Sequence, residues 1–190
     1  KTEIMILESR EEKFEDGVIS YKDIDDDQWF FPHIEALTEE NIVGGFRDSS
    51  GNSLGEYRPG NKVTLSEALK MVLEASGKGP ALQGIPINEV SQDHWAFLYW
   101  KKAEIIGSVI AYRLKDPDAQ ATRGEVAQLL VEGFGIETQE VLGSRFPDLP
   151  SNHPYAPALE ALEAFSGDEK TGTVRPDDPI NRADVAKIID

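Results

Sequence analysis

No cysteine occurs among the 190 residues. That excludes a disulfide framework and any cysteine-ligated zinc. Long apolar runs are missing too: no window approaches the roughly 18 uninterrupted residues that a membrane span needs. Positive charge is scarce. Nineteen Lys and Arg stand against 35 Asp and Glu, a formal net charge of −16. A surface this acidic repels phosphate backbones at long range, so nucleic acid is not an expected partner, and neither is an anionic membrane. An anionic ligand would need locally placed cations or backbone N–H groups. Only three histidines are present, and none has a second His at metal-ligating spacing. No G-x-S-x-G, H-E-x-x-H, phosphate loop or Cys nucleophile occurs, and no pair among the 35 acids is singled out for glycosidase work. The chain reads as a non-enzyme with no metal and no cofactor. The opening KTEIMILESREEK has no long apolar core and no initiator Met. It reads as the start of a mature or excised piece and says nothing about secretion.

What is present is repetition, which is sought before secondary structure. The segments Tyr21–Trp29 (YKDIDDDQW), Ile87–Trp95 (INEVSQDHW) and Phe146–Tyr155 (FPDLPSNHPY) each carry an acid and then an aromatic residue. Asp23, Glu89 and Asp148 are the matched acids. A glycine follows each time: Gly44, Gly107 and Gly167, expected to close the helix that the aromatic leads. Then come PGNKVTLSE from Pro59, PDAQATRGE from Pro117 and PDDPINRAD from Pro176. Each proline precedes a capping residue by five positions: Thr64, Thr122 or Asn181. An acid follows three later, Glu67, Glu125 or Asp184. This is the pattern of a helix N-terminal capping box. The caps lie 58 and 59 residues apart, and each introduces an apolar stripe at helical spacing, such as Ala68, Leu69, Val72 and Leu73. Gly77 and Gly135 are expected stops for the first two capped helices.

The expected fold is mostly α, with three pseudo-equivalent helix-loop-helix repeats sharing one domain, because two short helices cannot bury both apolar faces alone. The repeats are placed at 21–77, 87–136 and 146–190, the last C-terminally truncated, with 1–20 as an N-terminal extension. The stretches between glycine and proline are read as loops, and RDSSGNSLGE in the first as a polar insertion. Asp23, Asp25 and Asp27 have calcium-loop spacing, but Gln28 and Ile34 stand where such a loop needs Gly and a bidentate Glu. Asp23 is therefore read as a hydrogen-bonding residue of the opening turn. Asp26 and Asp27 precede the first helix, where capping favours acids. His94 and His153 precede aromatic anchors and His33 follows one, which suits hydrogen bonding at a helix start. Trp100 has no counterpart elsewhere and reads as packing.

These residues together resemble the S-layer homology (SLH) family: DHWA at 93–96, YRP at 57–59, VRP at 174–176, TRGE at 122–125 and NRAD at 181–184. No single motif is specific, but three copies in one order at one spacing are. The resemblance implies a three-pronged spindle. It implies an extracellular role at the bacterial cell surface: non-covalent anchoring of a larger surface protein to a cell-wall polysaccharide, often pyruvylated. Carried over by position, it implies glycan contact by Arg123, Arg182, Trp29, Trp95, Gly44 and Gly107. The residues agree in kind. An Arg in the first turn of a capped helix sits beside N–H groups and the positive macrodipole end, suitable for a carboxylate, and Trp offers a flat face to a sugar ring. Departures are Leu65 where the motif has Arg, with Lys62 or Arg58 as possible substitutes; Lys115 for the loop aromatic; and Tyr155 for Trp. One or two competent grooves are expected. The rival reading is an SLH-derived structural or protein-interaction module without glycan binding.

Overall fold

The computed structural model describes residues 20–83, 90–113, 116–162, 168 and 170–190. Glu89, Lys115, Gly167 and most of the N-terminal extension fall outside them. The protein is mostly α. Among the described residues the helices are α1 (Phe31–Glu39), α2 (Leu65–Ala75), α3 (Phe97–Ile105), α4 (Val109–Arg113), α5 (Arg123–Phe134), α6 (Ala156–Ala161) and α7 (Arg182–Ile189). Two compact units emerge. Unit 1 runs through residue 61 and takes in 181–188 and 190; unit 2 runs from 62 to 180 with 189.

The capped helices start where their sequence says. In α2 the Glu67 N–H donates to Thr64 Oγ1 at 3.2 Å and the Thr64 N–H donates back to the Glu67 carboxylate at 2.9 Å. In α5 Glu125 and Thr122 make the same reciprocal pair at 3.2 and 2.8 Å. In α7 Asn181 Oδ1 accepts the Asp184 N–H at 2.8 Å. Thr122→Ala removes one half of such a box and is expected to cost about 1 kcal/mol. Urea unfolding checks this as a shift in midpoint at constant slope.

The first helices start differently from expectation. The N-cap of α1 is Phe30, with no side-chain cap, no acid in the first turn and a Pro at its start. Asp26 and Asp27 therefore do not cap it. Proline supplies the pre-set φ at that end instead. Nor does Gly44 close α1. Asn41 does, at φ 59°, with its N–H on Thr38 O and the Ile42 N–H on Leu37 O. The counterpart at the end of α3 is Gly107, at φ 79°, with bonds Gly107 N–H to Glu104 O and Ser108 N–H to Ala103 O. Asparagine tolerates the left-handed region better than other side chains do, which hid this equivalence from a search for glycine. Between Gly107 and Pro117, where a loop was expected, lies α4. Its first N–H, from Val109, donates to Glu132 at 2.8 Å.

The three residues that precede the caps meet inside unit 2. Val63, Ala121 and Ile180, each one residue before a cap, are all buried. They close a ring of backbone bonds: Val63 N–H to Ile180 O at 3.2 Å, Ile180 N–H to Ala121 O at 3.1 Å, and Ala121 N–H to Val63 O at 2.9 Å. Three peptide groups of equal standing satisfy one another without water, as buried backbone must. Around the ring, unit 2 buries Leu69, Val72 and Leu73 of α2, Trp100 of α3, Leu129 and Leu130 of α5, and Leu159 of α6. Helices α2 and α5 come close because residue 133 is glycine: a Cβ there would stand 2.4 Å from Val72 Cγ1. Unit 1 buries Tyr21, Ile34, Leu37, Tyr57, Val185 and Ala186. The Tyr21 and Tyr57 rings meet at 5.5 Å.

Candidate functional site

Arg182 opens α7 in unit 1 and is 2% exposed. Its Nε donates to Tyr57 O at 3.0 Å and a terminal nitrogen donates to Gly44 O at 2.9 Å. Its guanidinium carbon lies 4.3 Å from the Tyr57 ring centre and 5.0 Å from that of Phe46. Arg58 stacks on the same Phe46 ring at 4.3 Å and pairs with Glu56 at 3.0 Å. Burial pushes the Tyr57 hydroxyl pKa up, opposed by the nearby Arg182 charge. Arg182 is thus embedded between aromatic rings and loop carbonyls and offers a ligand almost no surface.

Arg123 holds the same place on α5 in unit 2 and is half-buried. Its Nε donates to Val174 O at 2.8 Å, the equivalent of the bond from Arg182 to Tyr57. Beside it, Gly124 lies under Tyr155: a Cβ at 124 would stand 2.8 Å from Tyr155 Cδ2 and 3.1 Å from Pro176 O. Burial, helped by the charge of Glu125, raises the Tyr155 hydroxyl pKa, while Arg113 of α4 lowers it through its charge and a hydrogen bond to that hydroxyl. Arg113 was invisible to the sequence reading because α4 was read as loop.

The N-termini of the three capped helices do not offer open N–H groups. In α5 the Arg123 N–H bonds Asp178 O at 3.0 Å and the Gly124 N–H bonds Pro176 O at 2.8 Å. In α7 the Arg182 and Ala183 N–H groups bond Asn61 O and Pro59 O at 2.9 and 3.0 Å. In α2 the Leu65 and Ser66 N–H groups bond Ala119 O and Pro117 O at 2.9 and 3.1 Å. With the third N–H on the cap side chain in each helix, the first turn is saturated. The expectation of a carboxylate among free first-turn amides is overturned, and cationic side chains are left to do that work.

The aromatic candidates differ. Trp29 is 53% exposed, with Lys187 Nζ 5.5 Å from its ring centre. Trp95 is half-buried, stacked on His94 at 5.8 Å and edge-on to Tyr99 at 6.5 Å. Gly44 contributes its carbonyl to Arg182, but nothing stands within 4 Å of a Cβ built there. The crowded glycine is Gly45, where a Cβ would meet Tyr21 at 2.9 Å. Gly107 is a left-handed turn residue between α3 and α4. Leu65, in place of an arginine, is buried, and Lys62 Nζ donates to Pro179 O at 2.9 Å.

Two of the three histidines organise helix starts, whereas His33 pairs through Nδ1 with Asp190 at 2.7 Å. His94 Nδ1 and His153 Nδ1 each accept the N–H two residues on, both at 3.2 Å. That leaves Nε2 to carry the proton, facing Asp118 at 3.2 Å and Asp177 at 3.3 Å. Among the described residues no group of His, Asp and Glu is arranged to hold a metal ion, and no helix is long and apolar enough to cross a membrane.

The sequence pattern of the S-layer homology domain matches residues 20–69 and 145–186. Both regions are S-layer homology sequence. Over 121 residues, 64% of its length, it is 28% identical to the middle cell wall protein of Brevibacillus brevis. Over 66 residues, 35% of its length, it is 33% identical to the surface layer protein of Brevibacillus choshinensis. The matched stretches are 10% and 5% of those two relatives, so the chain spans a small part of each. The S-layer homology matches bracket a middle stretch that contains Arg123, α4 and Trp95.

Proposed function

We propose that this chain anchors a larger bacterial surface protein to the cell wall by binding an anionic, pyruvylated wall polysaccharide, without catalysing a reaction. The family and the two relatives support cell-surface localisation and wall anchoring in general. The observation that carries the finer reading is local. In a chain of net charge −16, the half-buried Arg123 opens α5 directly before Gly124, which the half-buried Tyr155 ring overlies, and the charge of Arg113 acts on that ring's hydroxyl. A carboxylate held by guanidinium groups beside an amphipathic ring is a combination suited to an acidic sugar. Unit 1 offers a weaker counterpart in the exposed Trp29 ring with Lys187 above it. There Arg182 holds the Gly44 and Tyr57 carbonyls in place. Trp95 and Gly107 shape the ends of α3, and the proposal keeps the three-repeat division at 21–77, 87–136 and 146–190.

Leu65 and the burial of Arg182 favour a second reading, a structural or protein-interaction module that has lost glycan contact. Sedimentation with purified cell walls separates the two. Binding to intact walls that disappears once the secondary polymer is stripped is the expected result. Binding indifferent to stripping, or none, sinks the glycan reading.

A further inference from the structure

Two loops, one in each unit, repeat a single chain of hydrogen bonds. In unit 1 the Asp23 carboxylate accepts the Tyr57 N–H at 2.8 Å and the Arg58 N–H at 2.6 Å. In unit 2 the Asp148 carboxylate accepts the Val174 N–H at 2.9 Å and the Arg175 N–H at 2.7 Å. The second residue of each pair is forced into the left-handed region, Arg58 at φ 58° and Arg175 at φ 50°. Arginine has no local reason to adopt that conformation, which disfavours a β-carbon. A carboxylate bridging two consecutive amides supplies one, through two charge-assisted bonds of the stronger kind. The turn so held aims the preceding carbonyl at an arginine: Tyr57 O receives Arg182 Nε at 3.0 Å, and Val174 O receives Arg123 Nε at 2.8 Å.

We propose that Asp148, and Asp23 in the equivalent place, are positioning residues: each fixes a left-handed turn whose carbonyl orients the guanidinium of Arg123 or Arg182. For Asp148 this rests on the reading of Arg123 as a glycan contact. Neither acid touches the ligand in this scheme. Each acts through two backbone amides and one carbonyl, and both are only partly buried. A guanidinium with one N–H pinned to a fixed carbonyl is pre-organised and loses less rotamer freedom when a carboxylate binds.

A double-mutant cycle on the full chain tests the coupling. The probe is purified pyruvylated wall polysaccharide, titrated by calorimetry against wild type, Asp148→Asn, Arg123→Ala and the double variant. Arg123→Ala is expected to weaken binding roughly 10- to 100-fold, as loss of a charge-assisted bond implies. Asp148→Asn is expected to weaken it about 3- to 10-fold in wild type and not at all further in the Arg123→Ala background. Without polymer, the Arg123 Nε–H resonance of a nitrogen-15-labelled sample is expected to shift and exchange faster in Asp148→Asn. If that variant does not fold, Asp148→Glu, which keeps the charge but moves it by one methylene, takes its place with the same expectations. Equal losses in both backgrounds, or an unmoved Nε–H resonance, overturn the positioning role while leaving Arg123 as a contact. Unchanged binding by Arg123→Ala overturns the glycan reading instead, and the resonance then decides the positioning role alone.

Discussion

Arg182→Ala is expected to lower the stability of the chain by about 3–5 kcal/mol. The two carbonyls that the guanidinium serves, on Tyr57 and Gly44, lie 125 and 138 positions away in sequence. Burying a carbonyl without its donor costs about 1–3 kcal/mol each. Loss of the stacking on Phe46 and Tyr57 adds roughly 1 kcal/mol more. For a chain of this size the melting temperature is expected to fall by roughly 10 °C, read from a thermal scan by circular dichroism. Arg182→Lys is expected to recover less than half of the loss, because an ammonium cannot fork between two carbonyls while lying flat on a ring. A change below about 1 kcal/mol, the range of an exposed ion pair, would show that the arginine carries no such burden.

Trp100→Ala is expected to cost a similar 3–5 kcal/mol, by another mechanism and in the other unit. The ring is fully buried, so truncation leaves a cavity that the neighbouring α2 residues cannot fill. Its Nε1 also donates to Ser66 Oγ at 2.9 Å, and Ser66 Oγ passes its own proton to Pro117 O at 2.8 Å. Trp100→Phe separates the contributions: most of the packing stays and the bond goes, for an expected cost of about 1–2 kcal/mol. Urea unfolding followed by circular dichroism checks both variants. Equal midpoints for Phe and Ala would mean that packing is not what Trp100 supplies.

These two residues show which parts of the protein were legible in advance. Trp100 was read as packing, and it is buried. Arg123 and Arg182 were read as a matched pair, and their Nε bonds to Val174 and Tyr57 are indeed equivalent. Their exposure is not. Arg182 is enclosed by Phe46 and Tyr57, whereas Arg123 precedes a glycine that Tyr155 overlies and stays half-open. Asp23 was read as a hydrogen-bonding residue of an opening turn. Its partners could not be named, because they stand 34 and 35 residues further on. The RDSSGNSLGE insertion proved less singular than it looked. Asp48 and Asp168 each gather nearby N–H groups on one carboxylate oxygen, so the first and last loops share a tight polar turn; the Asn52 side-chain amide together with such backbone bonds lowers the Asp48 carboxyl pKa, and the Thr171 and Lys170 N–H groups lower that of Asp168.

The sequence alone determined whatever is closed within a turn of helix: the caps at Thr64, Thr122 and Asn181, the stop at Gly135, the apolar stripes and the near-constant spacing. Those interactions join residues three or four apart, so their pattern is written directly in the chain. Tertiary structure decided where the first-turn N–H groups of α2, α5 and α7 go, which of two identical-looking arginines keeps a face to solvent, and that a five-residue helix brings Arg113 to Tyr155. Each of these depends on backbone or side chains brought in from a distant segment, and a saturated amide cannot be told from a free one until that segment is in place.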